Sequence, residues 1–278
     1  MLFRPLAGIA AIVSLGACAS MPEAPLTPPA PTRTASTFGG AVASADPRAT
    51  AAGEAILAQG GNAVDAALAT MIALTVVEPQ SSGIGGGGFI LYGAPDGTVQ
   101  SYDGRETAPS AATPAWFLDE DGNPLPGSEA TISGLSVGVP GNVAVAAKLH
   151  AEHGKLPWAA LFRPAIVLAR EGFVLNERLH SSLEGQFDRA GHTQEGRALF
   201  YQADGTPRPV GTRIALPDLA ATFERIASRG PQAFYEGDSA TALAQTIAAE
   251  TPRDGAMTAA DIAAYEARER APVCGDYR

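Results

Sequence analysis

The stretch from Ala63 to Val77, AVDAALATMIALTVV, constrains this chain more than any other, because it is apolar on every face of a helix and so must be surrounded by protein. At about fifteen residues it is too short to span a bilayer. The alanines at 63, 66, 67, 69 and 73 let neighbouring backbones approach closely, so the stretch reads as a buried central helix. Gly60 can end a preceding helix, and Asn62 with Asp65 forms a capping-box-like pair that starts this one. Glu78-Pro79 stops it, since the residue before proline is pushed out of the α region. Ser81 to Gly88 then reads as a loop whose glycines permit positive φ. Phe89 to Tyr92 reads as a strand, Pro95-Asp96-Gly97 as a turn, and Thr98 to Tyr102 as the returning strand. The hairpin delivers Asp103-Gly104-Arg105-Glu106 to its end, with Arg105 beside the glycine loop.

Gly83, Gly85 and Gly88 satisfy G-x-G-x-x-G, but a dinucleotide fingerprint follows a strand and opens a helix, whereas here the order is helix, loop, strand. No Gly-Lys-Ser/Thr follows, which excludes a Walker loop. A tight connection without any ligand is the plain alternative.

The sequences VVEPQSSGIGGGGF and DGRETAP resemble the hallmark region of the γ-glutamyltranspeptidase family of N-terminal-nucleophile hydrolases. GVPGNVA at 138–144, GKLPWAALFRPAIVLAREGF at 154–173, LPDLAATFERIASRGPQAFYEG at 216–237 and the closing APVCGDYR resemble further blocks in family order. The resemblance implies an α/β (α+β) fold, a four-layer α-β-β-α sandwich that this chain supplies incompletely. It also implies a precursor that cuts itself to expose a threonine at the start of a small subunit. That threonine would attack glutathione and other γ-glutamyl amides, and the acyl-enzyme would pass to water or to an amino acid or peptide. The likeness covers the large-subunit region, 38–278. No Thr-Thr dipeptide occurs, so the nucleophile, the Ser-Ser substrate contacts and the Gly-Gly oxyanion hole are expected in a small subunit from the same precursor. The chain alone is then expected to be inactive, with an open sheet edge and exposed apolar surface. Arg105 is similar to the family arginine that holds the substrate's α-carboxylate, and a guanidinium fork suits that role; a salt bridge to Asp103 or Glu106 is its plain alternative. No cofactor is implied. A non-catalytic, lipid-anchored remnant or binding module, or a related glutaryl acylase, stays open.

At the start of the chain, Arg4 and the apolar run LAGIAAIVSL have signal-peptide proportions over residues 1–17. Leu15-Gly16-Ala17-Cys18 resembles a bacterial lipobox with Cys18 as the lipid attachment, against plain cleavage after Ala17-Cys18-Ala19. Either reading implies export, to the periplasm or to a membrane surface as a lipoprotein. Residues 18–37 are proline-rich and read as a linker. The roughly 240 residues from Phe38 onward suffice for one sizeable domain. A net charge of −10 argues against nucleic acid or an anionic membrane, leaving the lipid as the membrane contact. Two cysteines make no disulfide framework, and Cys274 reads as a semi-buried strand residue.

Gly134-Leu135-Ser136-Val137-Gly138 matches G-x-S-x-G, which offers Ser136 as the nucleophile of a serine hydrolase. Pro140-Gly141 intervenes before the helix that Asn142 is expected to cap, against the elbow geometry that motif requires. His150 and His153 could face one metal from a helix end, but no third ligand is evident, and a structural role fits the helix dipole. Asp119 to Pro124 has an acidic turn composition without EF-hand spacing. Further helices are expected from Asp46-Pro47 to Gln59, Pro164 to Glu171, Asp218 to Arg229, Asp238 to about Glu250, and Thr258 with Asp261 onward to Arg268. Ala271 to Arg278 reads as a strand.

Cys18 is expected to carry lipid at the mature N-terminus. Mass spectrometry of that terminus checks it, and an unmodified chain starting at Ser20 would sink the lipoprotein reading.

Overall fold

The structure, a computed structural model, describes residues 39–253 and 255–276. The signal segment, Cys18, the linker and the chain's last two residues lie outside the described residues. The helix α1 (Pro47–Ala58) and the helix α2 (Ala63–Val77) come first. The hairpin β1 (Gly88–Gly93) and β2 (Val99–Gly104) follows. Next are α3 (Gly127–Ile132), α4 (Asn142–His153), α5 (Trp158–Glu171) and β3 (Phe173–Val174). Short helices α6 (Glu177–Leu183), α7 (Phe187–Ala190) and α8 (Gln194–Phe200) lead to β4 (Arg213–Ile214) and α9 (Pro217–Arg229). The last elements are α10 (Gln232–Tyr235), α11 (Gly237–Ala249), α12 (Ala259–Ala263) and β5 (Arg268–Arg270).

As its composition requires, α2 is enclosed: Val64, Leu68, Ala69, Ile72, Ala73, Val76 and Val77 are all buried, and α1 and α5 both pack on it while α9 packs on α5. Its start is fixed by the expected capping box. The Asn62 side chain accepts from the Asp65 N–H at 3.0 Å, and the Asp65 carboxylate accepts from the Asn62 N–H at 3.0 Å. Asp65 is fully buried and also accepts from the backbone N–H groups of Lys155 (3.0 Å) and Leu156 (3.1 Å), so one carboxylate joins the head of α2 to the α4–α5 connection. A buried carboxylate needs such donors to offset its lost hydration.

The hairpin is antiparallel, with Gly88 opposite Gly104 and Tyr92 opposite Gln100, and β5 adds to β2 with Asp103 opposite Arg268. Alternation divides the sheet into two faces. Tyr102 is buried on the face toward the helices, with Ile90 partly buried beside it, whereas Phe89, Leu91 and Val99 stand 64%, 70% and 44% exposed on the other.

Several expected boundaries shift. Helix α5 starts at Trp158, six residues before Pro164, which lies inside it. Burial of Leu161 and Phe162, and the bond from Trp158 Nε1 to the Ile226 carbonyl (3.0 Å), hold the turns before the proline. The expected caps Asp218 and Asp238 sit inside the first turns of α9 and α11, two positions past the caps Leu216 and Glu236. The Thr258–Asp261 capping box forms, but α12 stops at Ala263 because Arg268–Arg270 is drawn into pairing with β2. Ala271 to Asp276 accordingly forms no strand, and Cys274 is exposed rather than semi-buried. None of the glycines from 83 to 88 has positive φ. At Gly87 the lack of a side chain matters instead.

Asp65→Asn is expected to destabilise the fold by about 2–3 kcal/mol, the scale of hydrogen bonds lost from a charged buried acceptor. Denaturant unfolding measures it; an unchanged midpoint would show that Asp65 is dispensable.

Candidate functional site

The end of β2 and the glycine loop meet backbone to backbone. A Cβ on Gly87 would stand 2.3 Å from the Gly104 carbonyl oxygen, and one on Gly141 would stand 2.0 Å from the same atom. Only glycine fits at both positions. Arg105 follows directly and is held by its main chain: its N–H donates to Asp103 Oδ1 at 2.9 Å, and its carbonyl accepts from the Tyr265 hydroxyl at 2.7 Å. Asp103 is pinned from its other side by Arg270, which donates to Oδ2. The Arg105 N–H, and after it Arg270, hold the Asp103 carboxyl below the usual carboxylate range.

The Arg105 guanidinium is left at the surface with its side chain 52% exposed. Nη1 donates to the Gly87 carbonyl at 2.6 Å, and Nη2 pairs with Glu106 at 2.9 Å. The salt bridge anticipated as the plain alternative is therefore made to Glu106 but not to Asp103. Two contacts engage only part of a guanidinium's five-donor fork, so an incoming carboxylate still finds planar, charged donors. Asp103, Tyr265 and Arg270 fix the backbone, and Gly87 and Glu106 aim the head group.

The Gamma-glutamyltranspeptidase family model matches residues 49–278. The chain belongs to that family. It is 38% identical over 97% of its length to the glutathione hydrolase proenzyme of Escherichia coli, of which it covers 47%. The solved γ-glutamyltranspeptidase of Helicobacter pylori is similar to it with a TM-score of 0.80 and 33% identity, over 86% of this chain and 67% of that one. The enzyme of Pseudomonas nitroreducens, solved in complex with L-DON, gives a TM-score of 0.77 and 35% identity, over 86% and 69%. The chain thus spans about half the length of the E. coli relative. Its mixed helix-and-sheet fold is that of these γ-glutamyltranspeptidases.

Within this family fold the rival chemistries separate from Arg105. Ser136 lies in a 3-10 turn, and its hydroxyl donates to the carbonyls of Thr131 (2.9 Å) and Ser133 (3.0 Å) instead of to an imidazole. That turn replaces the strand-to-helix elbow a serine nucleophile needs. Ser136 does line an open cleft of about 820 Å³ with Pro79, Ser81, Leu179, Arg189 and His192, but Arg105 takes no part in it. His150 and His153 diverge: His150 Nε2 lies 2.8 Å from the Leu156 carbonyl, while His153 stacks on Tyr92 (4.1 Å) and meets the Tyr102 hydroxyl at 3.0 Å. Both are structural contacts. Asp119 closes its own turn, accepting from the N–H groups of Asp121 (3.0 Å) and Asn123 (2.8 Å).

Sequence reasoning did not find Tyr265, Arg270 or Asn142. Tyr265 and Arg270 are 160 or more residues from the groups they hold, and no local pattern marks them. Asn142 was expected as a cap; it is instead the first residue of α4, and its side chain reaches the glycine loop, donating to the Gly83 carbonyl at 2.7 Å.

Ser136 is expected to resist labelling by a serine-directed fluorophosphonate, because its hydroxyl is spent on two carbonyls and no imidazole activates it. Labelling at Ser136 in the folded chain, measured by peptide mass spectrometry, would return it to the candidate nucleophiles.

Proposed function

We propose that this chain is the large-subunit portion of an exported γ-glutamyl transferase or hydrolase acting on glutathione and related γ-glutamyl amides. The observation that carries the reading is the half-exposed Arg105 fork, fixed through its own backbone and through Gly87 at the end of β2. In this reading Arg105 receives the substrate's α-carboxylate. A charge-assisted, planar contact of that kind positions the γ-carbonyl at a distance set by the glutamyl chain.

The small subunit of the same precursor supplies the threonine, which attacks the γ-carbonyl. The γ-glutamyl group passes to threonine oxygen, the amine leaves with a proton, and water or an acceptor amine then takes the acyl group. The threonine's own α-amine serves as base. The chain by itself is inactive in this reading. The exposed sheet face of Phe89, Leu91 and Val99, together with the outer edge of β1, which pairs with no other strand among the described residues, supports a partner layer that completes a four-layer sandwich. The signal segment and a lipid on Cys18 would place the assembled enzyme outside the cytoplasm.

In the assembled enzyme Arg105→Ala is expected to raise KM for γ-glutamyl anilides about ten- to a hundred-fold, the worth of one charge-assisted contact. Arg105→Lys, which keeps charge but loses the fork, recovers only part. Unchanged kinetics in both variants would make Arg105 a structural residue.

A further inference from the structure

A helix N-terminus exposes N–H groups that its own turns cannot satisfy. In α4 these groups are spent on the surroundings of Arg105. The N–H groups of Gly141 and Asn142 both donate to the Gly86 carbonyl at 3.0 Å. The Ala144 N–H donates to the Tyr235 hydroxyl at 3.0 Å, and that hydroxyl donates onward to the Pro140 carbonyl at 2.9 Å. The Asn142 side chain crosses to the Gly83 carbonyl at 2.7 Å, in a residue only 8% exposed.

Gly83 and Gly86 are the two ends of one turn, closed by the Gly86 N–H donating to the Gly83 carbonyl at 3.1 Å. Asn142 therefore holds both ends, one with its main chain and one with its side chain. Besides Asn142, the Gly141 N–H and the packing of Ile84 against the core anchor the turn, but between Gly83 and Gly88 Ile84 is the only side chain, and glycine backbone is the costliest kind to order. The next residue is Gly87, whose carbonyl takes Arg105 Nη1 at 2.6 Å.

We propose that Asn142 is a positioning residue for Arg105. It fixes the Gly83–Gly86 turn so that the Gly87 carbonyl aims the guanidinium at the substrate's α-carboxylate. The proposal rests on the reading of Arg105 given above. An amide suits the position because Gly83 presents a carbonyl, which needs a donor. A hydroxyl or a methyl on the same Cβ would not reach it.

The test uses the assembled, self-processed enzyme and two substrates, a γ-glutamyl anilide and the 4-aminobutyryl anilide that lacks only the α-carboxylate. Asn142→Ala is expected to lower kcat/KM roughly three- to tenfold for the first, mainly through KM, the scale of one neutral hydrogen bond. It should leave the second unchanged, and should add nothing in an Arg105→Ala background. Equal losses on both substrates, or full additivity with Arg105→Ala, would overturn the proposal and leave Asn142 a fold residue. Arg105→Ala slowing both substrates alike would overturn the carboxylate contact itself and the proposal with it, an outcome visible in that single variant alone. If the alanine variant fails to mature, Asn142→Ser is read in the same way: it is neutral and well tolerated at a helix start, but too short to reach Gly83.

Discussion

A helix without a polar face can exist only inside a protein, and the enclosure of α2 is the constraint on which the rest of this structure depends. Its sides are covered by α1 and α5, and α9 closes over α5. Its two ends then have to leave the core, and each exit is polar. At the head, the buried Asp65 collects N–H groups from its own cap and from the α4–α5 connection. At the tail, the buried Glu78 accepts from Arg178 Nε at 2.9 Å and from Gln80 at 2.8 Å before the chain enters the glycine loop. The position of that loop follows from where α2 ends.

The candidate site is accordingly a backbone construction. Gly87 and Gly141 both press on the Gly104 carbonyl, and the Gly86 carbonyl takes two N–H groups from the start of α4. Main-chain groups are short and lack rotamers, so contacts among them define a position more narrowly than long side chains can. Arg105 inherits that definition through its own N–H and carbonyl, and its flexible arm is steadied at Gly87 and Glu106. Tyr265 and Tyr235, stacked at 6.1 Å, serve adjacent parts of this frame, one on the Arg105 carbonyl and the other on the α4 turn.

The two faces of the hairpin show how one strand serves two neighbours. Tyr102 is buried, donates to Glu152 at 2.6 Å and meets His153, and burial with that carboxylate pushes its hydroxyl well above the usual phenol range. Phe89, Leu91 and Val99 face the other way and stay exposed. In the proposed assembly that face is where the second half of the protein packs, and the glycine loop and Arg105 lie at the end of the same hairpin.

The sequence by itself determined the central helix, its capping box, the hairpin and the placing of Arg105 at a strand end, because each depends on neighbours within a few residues: an apolar run, an Asn-x-x-Asp spacing, a Pro-Asp-Gly turn. It determined the family as well, since several long motifs stand in order along one chain. Only the tertiary structure decided where α5 begins, because buried contacts to α9 outweigh the proline within it, and where α12 ends, because β2 recruits Arg268–Arg270. It alone showed that no loop glycine adopts positive φ, that Gly87 is there for close approach, and that Asn142 points away from its own helix. Such contacts join residues dozens to more than a hundred positions apart. Their partners are chosen by packing, and local spacing carries no record of them.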